Sequence, residues 1–202
     1  MFTHLLRPEK PPTSAEEAIA AARLLLQTAE ITGATVSLEK PANVPGGIEG
    51  AELKVTLPIP ALEAALHTAA VKAAAEQGVK ISHTNLRLSE NAPNRLTLHI
   101  TVEAKVFGGS LKIDVVGDVA PERGTHLRLS GFKMEGGGGI FGGIAAAMIR
   151  PKLAALEAAP LELQQLTGVP VLLTQLGCLD ETLTLSGSFS APHTGAPQPH
   201  HS

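Results

Sequence analysis

The residues with chemical potential in this 202-residue chain are a glycine string, eight histidines, two aspartates on one strand and a single cysteine. Gly137, Gly139 and Gly142 spell the GxGxxG pattern that cradles a pyrophosphate at a helix start. That fingerprint needs a parallel βαβ unit with an acid closing the second strand. Here the preceding segment reads as one strand of an antiparallel meander, and no second strand follows at the right distance. No Lys-Ser/Thr pair completes a P-loop either, so the string reads as a flexible lead into a helix.

Of the histidines, His193, His200 and His201 lie in a Pro- and Gly-containing tail, and His83, His99 and His126 fall on strands. None stands at the HxH or HExxH spacing that sets two imidazoles on one metal, so no metal site is expected. There is no GxSxG elbow for a nucleophilic serine. Asp114 and Asp118 share one strand face and invite an acid–base reading, but charges that keep a sheet face wet account for them. Cys178 sits in the apolar run Leu176-Gly177-Cys178-Leu179. It reads as a small buried hydrophobe, and a lone cysteine can form no internal disulfide. The chain is therefore expected to be no enzyme and to carry no cofactor.

Composition narrows the partners. Aromatic residues make up 2% of the chain, all of them Phe, so the core must be built from Leu, Ile, Val and Ala. The same scarcity removes the stacking platforms used for single-stranded nucleic acid. A net charge of -3 with no basic run gives no footprint for a phosphate backbone, and nucleic acid is excluded as a partner. No stretch approaches the roughly 20 apolar residues of a spanning helix, and residues 1–8 lack a secretory core. A cytoplasmic location is the expectation.

The elements that position these residues follow from apolar spacing. Ser14 and Glu17 make a capping box ahead of a helix over residues 15–30, whose stripe is Ile19, Ala22 and Leu26. Short strands are predicted at 35–38 and 51–57, and a second helix at 61–77, closed by Gly78. Residues 79–89 form a strand whose inward set changes parity between Ile81 and Leu86, which predicts a bulge near Thr84. Residues 95–106 alternate throughout, with Leu96, Leu98, Ile100 and Val102 on the dry side and Thr97, His99, Thr101 and Glu103 on the wet side. Leu111, Ile113, Val115 and Val119 continue the dry face after a Gly108-Gly109 turn, and residues 126–134 supply a fourth strand. A small-residue helix is expected at 140–159, kinked or divided by Pro151, then a short helix at 161–166 and closing strands at 169–174 and 182–189. Residues 1–13 read as a loose arm and 191–202 as a disordered tail around one domain, 14–190. The fold class is α+β, a long and strongly twisted antiparallel meander wrapped around amphipathic and small-residue helices.

This order of elements, with the Phe107-Gly108-Gly109 and Gly139-Ile140-Phe141-Gly142-Gly143-Ile144 strings, resembles the bacterial branch of the tubular lipid-binding superfamily over roughly residues 50–190. The resemblance implies a curved sheet holding a lipid against helices, and no catalytic residues. Many such bacterial proteins are exported or lipid-anchored, whereas this sequence shows neither a signal nor a lipobox cysteine. Small helix residues facing long aliphatic strands permit either close packing or a tubular space. For the space, the expected walls are Leu98, Ile100, Leu111 and Ile113 from the sheet, with Ile144, Ala145 and Met148 opposite. The expected partners are a lipid or acyl chain, a membrane surface touched peripherally, or a second copy of the chain. The alternative function is a structural or assembly protein that works through protein–protein contacts without a ligand.

Overall fold

The computed structural model describes residues 15–39, 51–75, 78–106, 109–136, 139–163 and 171–189. The expected arm and tail lie outside the described residues. The fold is α+β, and its described strands form two antiparallel sheets, one of them strongly curled.

The curled sheet is the meander. β3 (Lys80–Ala92), β4 (Arg95–Val106), β5 (Gly109–Glu122) and β6 (His126–Gly136) lie side by side in sequence order. Strict alternation along β4 sets its register with β5 from Leu96↔Val119 to Val106↔Gly109 without interruption. The bulge on β3 falls between Ile81 and His83, two residues earlier than the parity change suggested. It turns Thr84, Leu86 and Leu88 onto the dry face beside Val102, Ile100 and Leu98. Another register shift, between Val116 and Asp118 on β5, is taken up on β6 near Gly131, whose φ is +66°. There the ring of Phe132 lies against Gly117, and a Cβ on Gly117 would come within 2.5 Å of it.

The second sheet gathers segments far apart in the chain. Its order is β1 (Thr35–Glu39), β2 (Glu52–Pro58), β9 (Thr182–Phe189) and β8 (Val171–Leu179). The closing strands therefore pair with the early ones and do not extend the meander. β8 and β9 join through Asp180 and Glu181, both with positive φ, as the tight turn of a two-residue hairpin requires.

Among the described residues the helices α1, α2 and α3 cover these sheets. α1 (Ala15–Thr28) ends in a paired cap, Ile31 N–H to Leu26 O and Glu30 N–H to Gln27 O, with Glu30 in the left-handed region. The stop thus falls at Glu30. α2 (Ile59–Ala75) closes in the same way on Gly78, where the left-handed turn needs no Cβ. α3 (Gly139–Ala158) runs unbroken through Pro151, which corrects the expected division. Pro151 and Ala147 are both exposed, so the carbonyl that loses its amide partner faces water. Residues 161–162 are a correction as well. They form the two-residue strand β7, paired with β6 through Leu161↔Leu127 and Glu162↔His126; of the helix expected at 161–166, Leu163 is helical and residues 164–166 lie outside the described residues.

Sheet edges present unpaired amides, and among the described residues three of the four here have one or two of them capped from outside the sheet. On β3, Glu63 of α2 accepts the Leu86 amide at 2.8 Å and the Asn85 side chain at 3.0 Å. On β6, beyond the short β7, Glu157 of α3 accepts the Phe132 amide at 2.8 Å. On β8, the hairpin turns of the meander serve: Asn94 Oδ1 accepts the Leu176 amide at 2.8 Å, and Gly124 O accepts that of Leu173. This last contact joins the two sheets, with Leu96 and Leu176 almost fully buried in them.

Candidate functional site

Two concavities hold the features that could do work, one apolar and one polar. The apolar one is built by α1 and the four-stranded sheet. The alternation of β2 turns Leu53, Val55 and Leu57 to the α1 side, and pairing brings Gly187, Leu185 and Leu183 of β9 to the same side. α1 lays Ile19, Ala22 and Leu26 against this face, packed on Val36, Leu38, Leu53 and Val55. At the middle of that stripe stands Ala22, a single methyl. Facing it, β9 carries Gly187, where a Cβ would come within 2.5 Å of Val171. Two short side chains across from each other leave a cavity of about 220 Å³.

Ala22 and Leu26 form its helix side, and Leu53, Val55, Leu57 and Leu185 the sheet side. Val171, Leu173 and Leu163 close the flank. No charged side chain lines it. Ser186 borders it, but pairing with Lys54 turns its hydroxyl to the opposite face of the sheet. An apolar cavity of about 150 Å³ stays dry and takes a benzene-sized molecule. The larger space here has room for a short acyl chain.

The expected sheet walls, Leu98, Ile100, Leu111 and Ile113, stand together on the dry face of β4 and β5. None of them lines the cavity under α1. Leu111, Ile113 and Val115 are buried in a cluster with Ile100, Phe132, Met134, and Ile149 and Leu153 of α3. Ile144, Ala145 and Met148 fall within α3, and their side chains lie outside the described residues.

The polar concavity lies on the wet face of the meander and measures about 330 Å³. Asp114 is its hub. It accepts a hydrogen bond from Thr101 Oγ1 at 2.5 Å, with Lys112 Nζ at 3.7 Å and His99 Nε2 at 3.9 Å. Asp118 accepts from Thr97 and Asn91, each at 3.1 Å. Four residues of strand separate the two aspartates by about 13 Å, beyond the roughly 5–9.5 Å over which paired carboxylates share one bond. A cross-strand threonine holds each of them, with Lys112 beside Asp114 and Asn91 beside Asp118.

His83 and His126 are brought to different ends of the meander, on strands separated by β4 and β5. Among the described residues no group of three or more His, Cys, Asp or Glu could hold a metal. Cys178 directs its thiol toward Leu88 O at 3.7 Å. Burial first, and the charge of Glu90 second, push its pKa up, so the group stays a thiol and a poor nucleophile. One contact was not anticipated: His67 Nδ1 lies 3.1 Å from Thr84 Oγ1, tying α2 to the polar residue that the β3 bulge turns inward. The parity change at Thr84 was its signal, since a buried hydroxyl requires a partner. Gly139 opens α3 after a strand whose pairings are antiparallel, a setting that makes no dinucleotide fold. Among the described residues no helix is long and apolar enough to cross a membrane. No protein-family model, curated protein or solved structure matches this chain.

Proposed function

We propose that this chain is a non-catalytic binding module that holds a lipid or similar apolar ligand between helix and sheet. The observation that carries the reading is the cavity of about 220 Å³ beneath α1, walled by aliphatic side chains. A space of that kind excludes a charged or strongly polar ligand, because nothing in it would replace the lost hydration. It accepts a hydrocarbon segment, each methylene of which gains about 0.8 kcal/mol on leaving water. Any polar end of the ligand stays at the mouth. The layout of long meander and covering helices, which resembles the tubular lipid-binding superfamily, supports the same class of ligand.

Titration with straight-chain fatty acids of increasing length tests this. Affinity should rise by up to about fourfold per added methylene, then level off once the cavity is full. Native mass spectrometry of gently purified protein should show a bound acyl-containing molecule. Protein that is empty and takes up no chain of any length would sink the reading.

A further inference from the structure

The four sheet edges differ in one respect that the binding reading does not explain. Those of β3, β6 and β8 are each engaged at one or two amides, by Glu63, by Glu157, and by Asn94 with Gly124. The outer edge of β1 is not. Its backbone pairs with β2, and among the described residues it makes no hydrogen bond on the other side. β1, Thr35-Val36-Ser37-Leu38-Glu39, is short and ends in one charge, Glu39, but contains no Pro, no Lys and no bulge.

We propose that the β1 edge is the interface for a second copy of this chain, β1 pairing antiparallel with β1 across a two-fold axis at Ser37. The sequence of the strand selects this occupant and this register. Centring on Ser37 is the arrangement that pairs all five residues. It sets Val36 opposite the partner's Leu38 on the core face and Ser37 opposite its own copy on the exposed face. Glu39 then faces the partner's Thr35, so the one charged residue of the strand never meets itself. Apolar faces match as well, and the two four-stranded sheets become one of eight.

α1 shares one apolar cluster with Val36 and Leu38 of β1 and Leu53 and Val55 of β2, so a two-fold beside β1 brings both copies of α1 to the same face of the joined sheet. A five-residue strand with one helix flank makes a small interface, which belongs to the weak class.

Sedimentation of the full chain at rising concentration is the first measurement, with a reversible dimer expected below about 1 mM. Ser37→Lys places two ammonium groups opposite each other at the axis and should return the protein to monomer. Ser37 is exposed, so the melting temperature in dilute solution should stay that of the unaltered chain. A second pair of variants removes dependence on that substitution. In a Cys178→Ala background, Ser37→Cys should oxidise to a covalent dimer. Thr35→Cys should not, because its own copy lies about 14 Å away along the strand. A chain that stays monomeric up to about 1 mM overturns the proposal. So does a dimer that Ser37→Lys leaves intact, or cross-linking no better at Ser37 than at Thr35.

Discussion

Beneath α3 the meander offers Leu111, Ile113 and Val115, and these meet Ile149 and Leu153 in a continuous cluster. Beneath α1 the smaller sheet offers Leu53, Val55 and Leu57, and these meet Ala22 and Leu26 across about 220 Å³ of space. Both faces are aliphatic and both covers are helical, so hydrophobicity does not separate them. Opposed side-chain lengths do. In the meander a glycine is matched to a bulky partner, with the ring of Phe132 over Gly117. In the smaller sheet Gly187 lies in the face that a helix covers with an alanine, leaving only Val171 to lean into the gap. A cavity is therefore a property of two facing surfaces, and small residues on one of them do not create it.

The largest effect should come from disturbing the contact of Phe132 on Gly117. Gly117→Ala drives a methyl into the Phe132 ring, with two ring carbons within 2.6 Å of the new Cβ. The Phe132 amide is held by Glu157, which restrains the strand from backing away. We expect a loss of about 3 kcal/mol, the upper end for overpacking, measured as a lower midpoint in urea with an unchanged slope. A loss below about 0.5 kcal/mol would mean that the meander is looser here than its contacts indicate.

An intermediate effect should follow from opening the β3 edge. Glu63→Ala leaves the Leu86 amide without its acceptor and frees the Asn85 side chain. The bond is only partly buried, so water can replace part of it, and the expected cost is about 1 kcal/mol. Hydrogen exchange at Leu86 should accelerate more than at Leu98 on the neighbouring interior strand. Equal acceleration at both would show that Glu63 braces the whole sheet and not its edge alone.

Much of the scaffold was legible because its signals are local. Residues 95–106 alternate over the whole of β4, the parity change located the β3 bulge to within two residues, and Gly78 marked the end of α2. Membership of the second sheet was not legible. Its central pairing joins Glu52 to Ser188, and nothing within either segment encodes a partner more than a hundred residues away. Residues 161–162 misled for a related reason, since a two-residue strand has no period of its own and exists only because β6 is beside it. The small residues of α3 point to a space beneath that helix, where the side chains of Ile144, Ala145 and Met148 lie outside the described residues. The cavity under α1 had no such signal, because its lining joins Ala22 of α1 to Gly187 of β9, a neighbourhood that only the fold creates.

The smallest effect on stability, and the most telling one, should come from Ala22→Leu. At Gly117, an extra carbon atom meets the Phe132 ring. At Ala22 extra carbon atoms point into the cavity, and the residue is already 92% covered, so the added side chain leaves water for an apolar wall. Cavity filling of this kind commonly adds about 0.5–2 kcal/mol, and part of that is lost in fitting a branched side chain beside Leu26. The net change in unfolding free energy should lie within about 1 kcal/mol of zero. Ligand uptake should nevertheless fall, because the new isobutyl group occupies the volume that the hydrocarbon would fill. The two readouts divide the alternatives. Stability held with uptake lost is the signature of a ligand space beneath α1. A penalty of about 1–3 kcal/mol would show that α1 settles closely on the sheet in solution, leaving no room for a chain. Stability and uptake both unchanged would put the ligand elsewhere, and would turn attention back to the expected wall of Leu98, Ile100, Leu111 and Ile113.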